Sequence, residues 1–151
     1  MTQRRKNTIV VGLGFGDESK GATVDWLCSR INHPTVVRFS GGPQTAHNVV
    51  LPDGRHHTFA QFGSGTLRGA YTIHSRFSLI NPFNMSREAE HLESLGVTNP
   101  FSMVRFDENA LLITPIHRAL NRALEVRRGE NRHGSCGQGV GTTQHFAIER
   151  P

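Results

Sequence analysis

The chain has 151 residues, with 17 Lys and Arg against 12 Asp and Glu, a net charge of +5, nine histidines and two cysteines. This length suits one domain with a sizeable core, and the cysteine count excludes a disulfide framework and favours a reduced, cytoplasmic setting. The histidines lack metal-ligand spacing, and the basic residues are scattered apart from Arg4-Arg5-Lys6 and Arg127-Arg128, so phosphorylated small molecules explain the charge as readily as nucleic acid does.

After Lys6 comes a β-branched run, Thr8-Ile-Val-Val11, too short for a signal-peptide core or a membrane span. Gly12, Gly14 and Gly16 follow at alternate positions, then Asp17-Glu18-Ser19-Lys20-Gly21 and the start of an amphipathic segment. The pattern reads as strand, phosphate loop and helix, in which glycines bring backbone N–H groups close to an anion and Lys20 adds a point charge. It is neither an ordinary P-loop, since Ser19 and Gly21 stand where the second glycine and the hydroxyl belong, nor a dinucleotide fingerprint, since Asp17 stands where a glycine or alanine should. An acid in an anion loop calls for a metal ion or a proton transfer. The plain alternative for Asp17 is a carboxylate placed on a helix dipole.

The helix is expected from Glu18 or Ser19 to about Ile31, burying Val24, Leu27 and Cys28 or Ile31, and ending at His33-Pro34. Thr35-Val-Val-Arg-Phe39 reads as a second strand, parallel to the first in a right-handed βαβ unit. Both glycine-rich loops would then lie at the carboxyl ends of their strands, bringing Asp17 and His47 near one another. Asp53-Gly54 predicts a tight hairpin turn, with His56 and His57 as exposed strand-edge residues and Thr58–Phe62 as the return strand. Tyr71–Ile80 should be extended, and Pro82 and Asn84 should break any regular element after it.

Further on, Ser86 is a suitable N-cap for a helix burying Ala89, Leu92 and Leu95 and stopping at Gly96. Short strands follow at Ser102–Phe106 and Ala110–Ile113. Thr114-Pro115 then starts the clearest helix, with Ile116, Ala119, Leu120, Ala123 and Leu124 inward and Arg118, Arg122 and Glu125 facing water, a structural helix whose arginines carry no catalytic role. The last stretch places Gly134, Gly137, Gly139 and Gly141 among small and polar residues, which suits a nucleotide phosphate or, alternatively, a flexible linker.

Four of these stretches resemble one family. Gly16-Asp-Glu-Ser-Lys-Gly21 is similar to the phosphate loop of adenylosuccinate synthetases, with Ser19 in place of glycine. Arg38-Phe-Ser-Gly-Gly-Pro-Gln-Thr-Ala-His-Asn-Val-Val50, Thr58 to Leu67 and His133-Gly-Ser-Cys-Gly-Gln-Gly-Val-Gly141 resemble the family's second signature, its Ser-Gly-x-Leu segment and its glycine-rich nucleotide loop. The implied fold is α/β, a mainly parallel sheet with flanking helices and a P-loop-like nucleotide site, in which residues 1–151 form a single domain equivalent to the N-terminal part of a longer family chain.

The implied reaction joins L-aspartate to C6 of a purine nucleotide, the γ-phosphoryl of GTP or ATP first moving to the 6-oxo oxygen. By resemblance Asp17 is the base and His47 the hydrogen-bond donor, and Mg²⁺ is held by Asp17 and the main-chain oxygen of Ala46, a position where the family has glycine. The implied nucleotide contacts are Gly16, Asp17, Glu18, Ser19, Lys20, Gly21, Gln44, Thr45, Ala46, His47, Asn48, Cys136 and Arg150, the last reaching the nucleotide of a neighbouring subunit in a homodimer. Gln44 replaces an asparagine and Cys136 a threonine. Ser19, Pro43-Gln44 and Ser135-Cys136 are closer to the bacteriophage branch that acts on dGMP than to enzymes acting on IMP, although Asp17 is kept where that branch often has serine. Outside the resemblance, His47 reads as a satisfied core histidine. The other function classes are a catalytically incomplete purine-nucleotide-binding module and a basic nucleic-acid binder.

Overall fold

A computed structural model describes residues 7–149 of the chain. Its strands are β1 (Thr35–Gly41), β2 (His47–Val50), β3 (His56–Phe59), β4 (Tyr71–Ile80), β5 (Val104–Phe106) and β6 (Leu111–Leu112). Its helices are α1 (Lys20–Cys28), α2 (Pro82–Ser94), α3 (Pro115–Arg128) and α4 (Val140–Glu149). The main sheet is parallel throughout, ordered β1-β4-β5, and β6 lies beside the far half of β4. β2 and β3 form a separate antiparallel hairpin around Gly54, whose φ of 88° is the left-handed value that the turn requires.

β4 is the axis of the molecule because it is long enough to pair on both sides. The β1 register shifts between Arg38↔His74 and Ser40↔Phe77, so β4 carries one extra residue there. Ser75 fills that bulge, its hydroxyl donating to the Phe39 carbonyl and accepting the Phe77 N–H at 3.1 Å. Below the sheet, Val49, Leu51, Phe59, Phe62, Leu67, Ile80, Met85, Ala89, Leu92 and Val104 close one core between the hairpin, α2 and one face of the sheet.

Several expectations are corrected. Thr8–Val11 forms no strand: Ile9 is 87 % and Leu13 98 % exposed, and the βαβ unit that they were to begin is replaced by the direct parallel pairing of β1 with β4. A strand needs a hydrogen-bonded neighbour, and β-branched composition alone does not supply one. α1 is shorter than expected; it buries Gly21, Asp25 and Cys28, leaving Val24 and Leu27 half-buried and Ile31 exposed. Asp25 is held there by a two-pronged pair with Arg68, at 3.0 and 3.1 Å.

Pro82 starts α2 instead of blocking a helix. Asn81 is the N-cap, accepting the Asn84 N–H at 3.2 Å, and Ser86 lies inside the helix. Leu95, expected inside, is the half-buried C-cap. The hairpin's return strand is His56–Phe59, and β5 and β6 are shorter than their expected ranges because short 3₁₀ and turn segments take the remainder. His57 is 2 % exposed, not an edge residue: its Nδ1 lies 2.7 Å from His91 Nδ1 on α2. Thr114 caps α3 as expected, with His117 completing a capping box, but none of its residues is buried. Its apolar stripe meets α4 and little else, so Ile116 is 75 % exposed, while the Nε of Arg118 and much of Glu125 are covered. The glycine-rich stretch leads into α4, a helix that was not anticipated.

A candidate anion site beside strand β1

The phosphate loop and the signature after β1 meet through a single close approach. A Cβ on Gly21 would lie 2.6 Å from the Cβ of His47, so only glycine lets the start of α1 rest on the start of β2. This brings Lys20, Arg38, Thr45, His47 and Ser64 around a cavity of about 180 Å³ beside β1, which Val10 also lines. The volume suits a phosphate-sized group and is too small for a whole nucleotide. Burial, then the Arg38 guanidinium, then the Lys20 ammonium push the His47 imidazole below its usual range, favouring the neutral ring.

The glycine loop already holds an anion. The carboxylate of Glu18 folds back over Gly12 and Gly14, accepting the Gly14 N–H and pairing with Lys20 at 2.7 Å. That ammonium, followed by the Gly14 N–H, holds the Glu18 carboxyl below the ordinary carboxylate range. Gly16, Asp17 and Ser19 all have positive φ, 115°, 52° and 55°, a conformation that costs the two L-residues energy. Ser19 is the N-cap of α1 yet makes no side-chain capping bond.

The sequence-derived residues are distributed unevenly. Lys20, Gly21, Thr45 and His47 come together at the cavity. Gly16, Asp17, Gln44 and Ala46 are exposed nearby in sequence but do not line it, and Asp17 makes no hydrogen bond among the described residues. Asn48 is engaged across the hairpin, its Oδ1 accepting from the Thr58 hydroxyl and lying 3.3 Å from His56 Nε2. Cys136 lines a second cavity, of about 390 Å³, with Glu125, Arg128, His133 and Ser135. The two glycine-rich regions nevertheless touch: a Cβ on Gly42 would lie 3.1 Å from the Val140 side chain, and Asn84 Nδ2 donates to Gln138 Oε1 at 3.1 Å. Arg150 lies outside the described residues.

Three participants were not read from the sequence: Arg38, Ser64 and, behind them, Glu88. Arg38 carried a signal, because a charged residue inside Thr35–Phe39 two positions from Val36 must share its inward face.

The sequence model of adenylosuccinate synthetase matches residues 9–151, nearly the whole chain. The chain belongs to the adenylosuccinate synthetase family. Its fold is similar to that of the fully ligated adenylosuccinate synthetase from Plasmodium falciparum, with a TM-score of 0.73 at 22 % identity, covering 89 % of this chain and 31 % of that one. It is also similar to the succinoaminodeoxyadenylate synthetase of cyanophage S-2L, solved with dGMP and with dATP as energy donor, with a TM-score of 0.65 at 21 % identity, covering 91 % of this chain and 36 % of that one. The chain thus spans about a third of the length of the adenylosuccinate synthetase-fold structures that it matches. Among the described residues no helix is long and apolar enough to cross a membrane, and no three His, Cys, Asp or Glu side chains gather as a metal cage.

Proposed function

We propose that residues 1–151 form a single α/β domain that supplies the phosphate-handling part of an adenylosuccinate synthetase-like ligase, one that joins L-aspartate to a 6-oxopurine nucleotide at the expense of GTP or ATP. The observation that carries the reading is the convergence of Lys20, Arg38 and His47 on one phosphate-sized cavity, beside a glycine loop whose N–H group already holds a carboxylate. Two cations and a neutral imidazole donor are what a phosphoryl oxygen needs.

In this reading Asp17 is the base that removes the N1 proton of the purine, and His47 donates a hydrogen bond to the 6-oxo oxygen as negative charge builds there. The exposed carboxylate of Asp17 and the main-chain oxygen of Ala46 are hard donors suited to Mg²⁺, which is commonly bound through one or two carboxylates together with substrate phosphates. When bound, that ion neutralises charge on the triphosphate. Gly16, Glu18, Ser19 and Gly21 shape the loop around it, Gln44, Thr45 and Asn48 flank His47, and Cys136 and, in a homodimer, Arg150 serve the nucleotide phosphate.

IMP and dGMP share the N1–H and 6-oxo groups, so this chemistry serves either one. The test is phosphate release with Mg²⁺, L-aspartate, GTP or ATP, and IMP or dGMP. Aspartate-dependent turnover lost in Asp17→Ala is expected, and the active nucleotide names the branch. Silence from folded protein in every combination favours the second reading, a purine-nucleotide-binding module, which the third-of-length coverage supports.

A further inference from the structure

Arg38 is a half-buried cation with no direct carboxylate partner among the described residues. Its Nη2 donates to Thr45 Oγ1 at 2.8 Å and its Nη1 to the Phe62 carbonyl at 3.4 Å. The same Thr45 hydroxyl donates to the Ala60 carbonyl at 2.8 Å. On the other side of that strap Glu88 accepts the N–H groups of Ala60, Gln61 and Phe62 at 3.1, 2.8 and 3.1 Å. A peptide segment of three residues therefore separates a buried acid from a half-buried base, with the Phe62 carbonyl turned toward the base, the Ala60 carbonyl toward Thr45, and the three N–H groups toward the acid. Covering a cation one peptide away from its counter-charge is costly unless hydrogen bonds compensate it.

We infer that Arg38 is a positioning residue for His47: its guanidinium pins Thr45 to the Ala60–Phe62 strap and so fixes where the chain, two residues later, presents the imidazole to the cavity. The inference deepens the proposed role of His47 as a donor and rests on that reading. The groups facing His47 are Lys20 from α1, Arg38 from β1 and the Ser64 hydroxyl. Facing Arg38 are His74, its register partner on β4, and, across the strap, Glu88 of α2.

The test follows the His47 ring signals and the His47 and Asn48 amides by NMR at one fixed pH in the ligand-free 151-residue chain, in wild type, Arg38→Met, Arg38→Lys and Thr45→Val. His47→Gln assigns the ring signal. Arg38→Met and Thr45→Val should both shift these amides, and Thr45→Val, which keeps side-chain volume, serves should Arg38→Met fail to fold. Tripolyphosphate affinity should fall about tenfold in Arg38→Met, the order expected for losing a charged hydrogen bond. Arg38→Lys should restore that affinity but not the amides, because it keeps the charge and loses the fork. His47 and Asn48 amides unmoved in Thr45→Val, or in folded Arg38→Met, would overturn the inference. Failure of tripolyphosphate to bind wild type would instead remove the anion site, with the NMR arms still judging Arg38.

Discussion

At the scale of single residues the molecule carries strain and unpaired polarity in identifiable places. Ser19 adopts a left-handed conformation that a glycine would adopt freely. Ser19→Gly should therefore gain roughly 0.5–1 kcal/mol after the entropy of the freer unfolded chain is deducted, read as a rise in thermal midpoint. His74 is a second case: it is 2 % exposed, stacked on Phe106, and neither ring nitrogen has a partner. Burial, then the Arg38 charge, lowers its pKa to about 4. Between the ordinary histidine value and that one the unfolded chain binds the extra proton, so stability is full above about pH 6.5 and falls, by at most about 3 kcal/mol, as pH drops to about 4. Urea unfolding at pH 7 and pH 4.5 should show the loss in wild type and a flatter response in His74→Leu. Ser19 stood out in the sequence because it occupies a glycine position, but His74 did not, since a histidine in an extended run looks the same whether its ring meets water or Phe106. The approach of Lys20 and Gly21 to a cavity followed from glycine spacing and charge in one loop, which are local properties, whereas His47 was singled out only by the family resemblance.

Elements were read best where their signals are self-contained. The Asp53-Gly54 turn and the Thr114-Pro115 cap depend on adjacent residues and formed as expected. Thr8–Val11 and the inward face of α3 depend on neighbours, and there the reading failed. α2 shows what such a neighbour contributes. Its Glu88 reaches across to the segment after β3 and satisfies three main-chain donors that no strand pairs. Glu88→Ala should cost at least about 3 kcal/mol, since each buried N–H left without an acceptor costs about 1–3 kcal/mol. Glu88→Gln retains one acceptor oxygen and should lose about half as much, both values coming from denaturant titration. The spacing does place Glu88 inward, four residues before Leu92 and seven before Leu95, but it does not show which main-chain donors the carboxylate meets.

Across the whole molecule the first half of the parallel sheet is covered on one side only, whereas the successive buried residues Ser78, Leu79 and Ile80 show both faces covered at the far end of β4. Val37, Phe39, Tyr71, Ile73 and Phe77 alternate outward from β1 and β4, with Val37 60 % and Phe39 67 % exposed, and among the described residues nothing packs over them. Parallel sheets are ordinarily buried on both faces, and an apolar patch of this kind binds hydrophobic dyes or other copies of itself. The 151-residue chain should enhance ANS fluorescence and sediment as a concentration-dependent mixture, and Val37→Thr with Phe39→Thr should weaken both effects. The sheet itself was predictable from β-branched runs at Thr35 and Tyr71; which of its faces is covered was not, since alternation assigns two sides without saying what lies on either. The bare face also has a calorimetric signature. Because those side chains are hydrated before the chain unfolds, melting adds less new apolar surface to water. The heat-capacity increment should then fall below the usual value of about 12–15 cal/mol/K per residue, giving a stability curve flatter with temperature than that of a sheet enclosed on both sides.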